Sequence, residues 1–283
     1  MPELPEVETI CRGLAPHLEG RRIRTATARR GGLRFPFPPR FAARLTGCRI
    51  ETPWRRAKYL LVPLAPPNAP RLVWLTHLGM TGRFFVQRNA AAPPPPFVRH
   101  THLRLDLTGG ITLLFADPRR FGFMDLLAED ALASAPYLAK LGPEPLGNAF
   151  DVEALARACA GRRTPIKSLL LDQQVVAGLG NIYVCEALFA ARISPRRQAG
   201  KLGHTRLARL VPAIRKVLTA AIAAGGSTLR DFADGDGASG LFQHRFKVYG
   251  RADAPCRRAG CDASITRIVQ AGRASFYCPS CQR

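Results

Sequence analysis

Acidic residues are the conspicuous shortage in this 283-residue chain. Asp and Glu number 20 against 42 Lys and Arg, a formal charge of +22. That excess exceeds what solubility requires and points to a polyanionic partner, because neutralising phosphates releases condensed counterions. Lysine is scarce too, at six of the 42 basic residues. The bias toward Arg, Ala and Pro suggests GC-rich coding, which accounts for Arg over Lys but not for the deficit of acids. No run of 18 apolar residues exists, so no membrane-spanning helix is expected. The first residues carry Glu3, Glu6 and Glu8 and lack a signal-peptide pattern, so the expectation is a cytoplasmic protein. Cysteine totals eight. Four are scattered (Cys11, Cys48, Cys159 and Cys185) in apolar or helical contexts and read as buried thiols rather than a disulfide framework.

What is present allows two domains, each with its own core. Val7, Ile10, Cys11, Leu14 and Leu18 recur at helical spacing, and Pro5 with the early glutamates suits a helix start. Residues 21–127 read as strands: Trp54 to Leu64, Leu72 to Val86 and Leu103 to Phe115 are rich in branched and aromatic residues, with Thr108-Gly109-Gly110 as a hairpin turn. Pro93 to Pro96 form a stiff loop. From about Ala131 the pattern turns helical. Asp151 is placed to cap a helix with Val152, Leu155, Ala156 and Cys159 inside. Ile166 to Leu171, Asn181 to Ala191 and Thr205 to Ala224 follow, the last ended by Gly225-Gly226. Residues 233–240 are poor in apolar groups. The fold class is therefore α+β: an N-terminal helix and β-sandwich over 1–130, a helical domain over 131–248, and a metal-stapled segment over 249–283.

Chemistry is written at both ends. Removal of Met1, usual before proline, would leave Pro2 with a secondary amine able to attack an aldehyde carbon and form an iminium ion. Glu3 beside it could move protons. The positive end of the first helix would disfavour protonation of that amine and keep more of it nucleophilic near neutral pH. At the other end, Cys256-x4-Cys261 and Cys278-x2-Cys281 are separated by 16 residues. Two close pairs at this spacing match a four-thiolate zinc site holding a β-hairpin or ribbon. Such a site is closed, so one structural zinc is expected, and it would supply the stability a short segment lacks. Arg267 and Arg273 lie in the intervening loop, and Arg273 near its tip could grip a phosphate.

Between the ends lie smaller signals. Gly178-Leu179-Gly180-Asn181 precedes a helix, an arrangement that suits an anion; Asn181 could cap that helix or donate to a phosphate. Arg55-Arg56-Ala57-Lys58 puts Lys58 in a strand pattern, as a solvated lysine, a phosphate contact or a backup amine. Asp117-Pro118-Arg119-Arg120-Phe121-Gly122 is a turn with two cations and an aromatic, suited to unstacking bases. His77-Leu78-Gly79-Met80 offers Met80 as a second wedge; core packing is the plainer reading of both apolar side chains.

Taken together these residues resemble the bacterial formamidopyrimidine-DNA glycosylase family. The match includes Pro-Glu-Leu-Pro-Glu-Val-Glu-Thr at the start, Arg-Arg-Ala-Lys-Tyr-Leu, His-Leu-Gly-Met, Asp-Pro-Arg-Arg-Phe-Gly, Leu-Gly-Pro-Glu-Pro-Leu at 141–146, Gly-Asn-Ile-Tyr, Val-Tyr-Gly-Arg at 248–251 and the four cysteines. The resemblance implies that the helical domain carries a helix-two-turn-helix, and that the protein acts as a monomer on double-stranded DNA containing oxidised bases or abasic sites. It implies excision of 8-oxoguanine and formamidopyrimidines from a flipped nucleotide, then β- and δ-elimination to a one-nucleotide gap. In that picture Pro2 attacks C1′, Glu3 is the general acid/base, and Lys58 joins them at the catalytic centre. Lys58, Lys167, Asn181 and Arg273 hold phosphates, with His77 and His100 also on DNA. Met80, Arg119 and Phe121 fill the vacated space, and residues 226–246 close over the damaged base. Glu6 is structural or binds water. The first cysteine pair departs from the family's usual spacing by two extra residues, and the ligand set stays intact.

Two rivals remain. An endonuclease VIII-type glycosylase would use the same amine on oxidised pyrimidines; the Leu4-Pro5 context, the Arg119/Phe121 turn and the long Gly-rich loop favour the purine branch. A non-catalytic zinc protein that binds damaged DNA would share the charge, the finger and the Gly-rich turn, and only Pro2 and Glu3 argue against it.

Overall fold

The structure is a computed structural model and describes residues 2–88, 98–227, 232–233 and 241–283. Met1, the proline run and most of the 226–246 loop lie outside the described residues. The chain divides into two compact units: the described parts of Met1–Ala139 with Gly225–Gly240, and Lys140–Ala224 with Leu241–Arg283.

The first unit opens with helix α1 (Leu4–Leu18), whose Leu4, Val7, Ile10, Cys11, Leu14 and Leu18 are buried. These lie on one stripe, so one face of the helix enters the core. The core is a sandwich of two sheets. One has the order β1 (Ile23–Ala28), β7 (Thr101–Leu107), β8 (Thr112–Ala116), β6 (Arg83–Gln87) and the two-residue β10 (Phe232–Ala233). The other has β2 (Arg49–Ile50), β4 (Tyr59–Ala65), β5 (Leu72–His77) and β9 (Phe123–Ala128), with β3 (Trp54–Arg56) paired to β4. Strand alternation assigns the faces. Leu60, Val62 and Leu64 of β4 and Trp74 of β5 join the α1 side chains, a short helix α2 (Phe41–Leu45), and Phe84, Leu105 and Phe115 of the facing sheet in one cluster. Leu61, Val73, Leu75 and Phe123 point the other way and are covered by Leu132, Tyr137 and Leu138.

Two expectations need correction here. The stretch Trp54–Leu64 is two strands, not one: Arg56 pairs with Tyr59 across a two-residue turn, Ala57-Lys58. Ala57 takes a left-handed backbone (φ 52) with no Gly or Asn to signal it. Residues from Ala131 are not at once helical; a 3-10 turn at Leu132–Ser134 and irregular chain precede the first α-helix of that region, α3 (Val152–Cys159). The interval between the cysteine pairs is a β-hairpin, as the zinc-ribbon spacing suggested, with Arg267 inside one strand and Arg273 opening the other.

In the second unit Asp151 caps α3 as expected, its Oδ1 accepting from Ala154 N at 2.7 Å. Next come α4 (Ile166–Leu171), α5 (Asn181–Ala190) and α6 (His204–Ala223). The hairpin β11 (Thr266–Gln270) and β12 (Arg273–Tyr277) ends the chain's regular structure and contacts α5. No helix among the described residues is long and apolar enough to cross a membrane.

Candidate functional site

The start of α1 is a lock built from glutamates. Pro2 and Glu3 are buried just ahead of the helix. Glu3 is the N-cap residue, in extended backbone, and forms a reciprocal capping box with Glu6. Glu6 accepts from Glu3 N at 2.9 Å, and its other oxygen accepts from Ser227 N at 2.8 Å and Ser227 Oγ at 2.9 Å. Each partner satisfies an orphan donor at a helix start, and the helix dipole favours both carboxylates there. Glu6 is thus a buried strut that fixes the backbone of Glu3 and the entry to the 226–246 stretch. Pro5 sits in the first turn, where a missing N–H costs nothing.

Lys58 is brought to this region by the β3–β4 turn, which is tied to α1: Arg55 Nε donates to Glu8 at 2.9 Å, and Arg55 Nη1 donates to Ala57 O at 2.9 Å. Its side chain is only 9% exposed. It is a turn lysine held from below by an ion pair, rather than a strand lysine on a solvated face.

Lys58 is felt by His77, at the end of β5, where Tyr59 and His77 are register partners. His77 stacks on Phe123 with centroids 5.5 Å apart, and Nδ1 accepts from Gly79 N at 3.1 Å. Burial first, then the charges of Lys58 and Arg34, lower its pKa to about 4. His77 is therefore neutral at physiological pH, with Nδ1 as the acceptor and Nε2–H as its remaining donor.

The two wedge candidates share one support that the sequence reading missed. Met80 and Phe121 are 41% and 43% exposed, and the Arg119 guanidinium lies 4.5 Å from the Phe121 centroid. Their turns are joined by Asp117, whose carboxylate is fully buried. It accepts from Thr81 Oγ1 and, at 2.8 Å, from Gly122 N. Thr81 in turn accepts from Arg119 N at 3.3 Å. Gly79 (φ 62) completes the join, because a Cβ there would strike the backbone of Phe121 and Gly122. Asp117 also anchors the neighbouring histidines: its carbonyl faces His102 Nε2 at 3.0 Å, and its N–H donates to His100 O at 3.1 Å. His100, at the end of a 3-10 turn, is half-buried and receives Arg99 Nε at 3.1 Å. The Asp-Pro pair was the available signal for a turn with a carboxylate at its base.

In the second unit Lys167, Asn181 and the hairpin meet at Ala274. Lys167 is 1% exposed, and its Nζ donates to Ala274 O at 2.8 Å and Ser275 Oγ at 2.6 Å. Asn181 Nδ2 donates to the same carbonyl at 2.9 Å. The cap of α5 is Gly180, so Asn181 is not the cap but the first helical residue. Its buried Oδ1 has no hydrogen-bond partner among the described residues. Gln173 shapes the preceding turn: its Oε1 accepts from Gly178 N, and its amide donates to Leu171 O and Leu179 O, all within 3.0 Å. The exposed Arg273 follows the Ala271-Gly272 tip, where both residues have positive φ.

The finger is fixed to α5 by a further buried carboxylate. Glu186 is 4% exposed and accepts from the backbone N–H groups of Lys247, Val248 and Tyr249 at 2.8–3.1 Å. A lone acid in an otherwise apolar helix was the signal, since buried carboxylates need partners. The four thiols converge beyond it, with all Sγ atoms within 4.8 Å of one another. Cys256 and Cys281 are 4.0 Å apart, Cys261 and Cys278 3.6 Å. Zinc–sulfur bonds of about 2.3 Å in a tetrahedron put sulfurs about 3.8 Å apart, so the donor set fits one structural Zn2+. Cys281 N donates to Cys278 Sγ at 3.4 Å, support of the kind a knuckle gives its thiolate. The other four cysteines are buried, and burial pushes Cys11 and Cys159 up to about 11, so they are inert thiols.

Comparisons with known proteins agree along the chain. Formamidopyrimidine-DNA glycosylase N-terminal domain matches residues 1–124, Formamidopyrimidine-DNA glycosylase H2TH domain 141–233, and Zinc finger found in FPG and IleRS 254–283. A Formamidopyrimidine-DNA glycosylase of Rhodospirillum centenum is 56% identical over the full length of both chains. The MutM (Fpg) crystal structure from Thermus thermophilus superposes with a TM-score of 0.84 at 41% identity, covering 99% of this chain and 98% of that one. The Lactococcus lactis Fpg, crystallised with DNA containing an abasic site, gives 0.87 at 33% identity, covering 99% of each. With the glutamate-locked start, the Ala274 cradle and the four-thiolate finger all present, the chain belongs to the formamidopyrimidine-DNA glycosylase family.

Proposed function

We propose that this chain is a DNA glycosylase and AP lyase of base excision repair that removes 8-oxoguanine and formamidopyrimidines through the Pro2 amine. The observation that carries the reading is the Glu3–Glu6–Ser227 lock, which holds the residue before α1 in one conformation. An amine placed by that lock attacks C1′ of a flipped nucleotide, and the base departs with the glycosidic electron pair. Glu3 gives a proton to the ring oxygen as the sugar opens to the iminium. The iminium draws electrons from C2′, whose proton is lost as the 3′ phosphate leaves; a second elimination expels the 5′ phosphate. Lys58, Lys167, Asn181 and Arg273 hold phosphates, His77 and His100 make further DNA contacts, and Met80, Arg119 and Phe121 occupy the emptied stack. The domains run over 1–130, 131–248 and 249–283. The protein works as a cytoplasmic monomer, nucleoid-associated when bound.

The substrate arm is tested with duplexes carrying 8-oxoguanine opposite C or thymine glycol. Faster nicking of 8-oxoguanine is expected; a preference for thymine glycol would move the chain to the pyrimidine-specific reading. Pro2→Gly should bind abasic DNA as tightly as the parent and lose excision, since affinity comes from phosphate contacts elsewhere. Loss of binding in that variant would contradict the assigned roles.

A further inference from the structure

A second cluster of cations lies in the same unit as the Ala274 cradle, at the opposite ends of the elements that build the cradle. A depression of about 460 Å³ is lined by Arg192, Arg206, Arg209, Arg258 and Arg283, with the Ser280 hydroxyl beside them. No Asp or Glu side chain lines it. Among the described residues, no side-chain hydrogen bond or ion pair engages Arg192, Arg206, Arg209 or Arg283, and their five-cation set with Arg258 exceeds the charge of about −2 that a zinc tetrathiolate at Cys261 and Cys281 would carry. Arg258 is braced: its Nη2 donates to Phe189 O at 2.8 Å, and its guanidinium lies 4.7 Å from the Phe189 centroid. Arg206 and Arg209 stand on the first two turns of α6, where the helix dipole adds to their charge. Arg192 follows the end of α5 in left-handed backbone (φ 59), a position where glycine is the unstrained choice. A strained arginine, a braced one and three unpaired ones around one hollow form a site of bidentate donors for oxyanions.

Its position separates it from the cradle. Asn181 opens α5 and Arg192 lies just past its end, so about ten residues at 1.5 Å each put the two about 15 Å apart. The finger runs the same way, with Arg273 at the hairpin tip and the hollow at the knuckles, formed by Ala259, Gly260 and Cys261 on one side and Ser280 and Cys281 on the other. We propose that this hollow is a second DNA-binding site, which takes backbone phosphates of a separate duplex while the first is held at the lesion site. It rests on the proposed DNA glycosylase reading and adds to it a way of passing between DNA segments without full release.

The test uses the full zinc-loaded protein, joined by borohydride to a short abasic duplex and then titrated with a labelled undamaged duplex at low salt. The parent complex should bind the second duplex. Arg206→Ala with Arg209→Ala should weaken that binding at least tenfold. With two fewer phosphates neutralised, the slope of log affinity against log salt should shrink by about 1.8. Excision from the short duplex should be unchanged. Arg192→Gly, which suits the left-handed backbone, removes one pocket charge without threatening the fold and should show the same defect in smaller measure. A parent complex that ignores the second duplex overturns the proposal, as does one that takes up a polyglutamate peptide in its place. So do variants that bind the second duplex like the parent, or that lose the lesion duplex in equal measure. If the parent fails to trap abasic DNA, the proposed chemistry falls, and the second site is still read from the number of undamaged duplexes each protein binds.

Discussion

The start of α1 and the tip of the β11–β12 hairpin both present proposed site residues, and they are held in opposite ways. Glu3 rests on a helix whose apolar stripe is part of a large sandwich core, and its backbone is pinned by a carboxylate strut. Ala274 and Arg273 ride on a two-stranded hairpin with a small core of Cys185, Phe189, Val248, Ile265 and two of the zinc cysteines. Two strands are marginal alone, so the metal and the Glu186 clamp supply what the core does not. One region gains precision from burial, the other from a cross-link. The two should therefore fail separately, and that separation can be broken experimentally.

Chelating the zinc, or replacing Cys278 with Ser, should have the largest effect. Structural zinc in small fingers contributes on the order of 10 kcal/mol, so the hairpin should melt and DNA affinity collapse, while the first unit keeps its melting transition. Loss of both transitions together, followed by calorimetry, would dissolve the comparison. Glu3→Gln comes next. The amide can still accept the capping hydrogen bond, so stability should hold while single-turnover excision falls about 10²- to 10⁴-fold. A variant that excises normally would remove Glu3 from the chemistry.

Asp117→Ala should cost about 2–3 kcal/mol, because it strands the buried Gly122 N–H and Thr81 hydroxyl. It should also loosen the Met80 and Phe121 turns, read as weaker quenching of a base analogue opposite the abasic site. An unchanged denaturation midpoint would show that the two turns hold without it. Within the first unit, the smallest effect should come from acid acting on His77. His77 has its pKa lowered to about 4 by burial, so the unfolded chain binds the proton more readily. The stability due to the neutral ring is complete above about pH 6.5 and is lost as pH falls from there through 4. The loss is on the order of 3 kcal/mol and should vanish in His77→Gln. A His77→Gln variant with the parent's acid profile would place the titration elsewhere.

The parts legible in the sequence were those whose partners lie close along the chain. The cysteine pairs, the Asp151 cap, the Thr108-Gly109-Gly110 turn and the α1 stripe all depend on separations of a few residues. Asp117 and Glu186 were missed because Thr81 is 36 residues from the one and Lys247 61 from the other, and neither spacing is periodic. The Lys58 turn was missed for a different reason. Ala57 adopts left-handed backbone without a residue that favours it, so the hairpin is imposed by the Arg55–Glu8 tie and the sheet rather than by turn chemistry. Asn181 was read as a cap or a phosphate donor; Gly180 takes the cap position and leaves the Asn amide for Ala274.

The central claim is that the nucleophile is the nitrogen of Pro2, freed by removal of Met1. Borohydride reduction of the active protein with abasic DNA, followed by proteolysis and mass spectrometry, reads the attachment point directly. The adduct should sit on an N-terminal peptide beginning at Pro2. An adduct on Lys58, or an active protein that still carries Met1, would contradict the account.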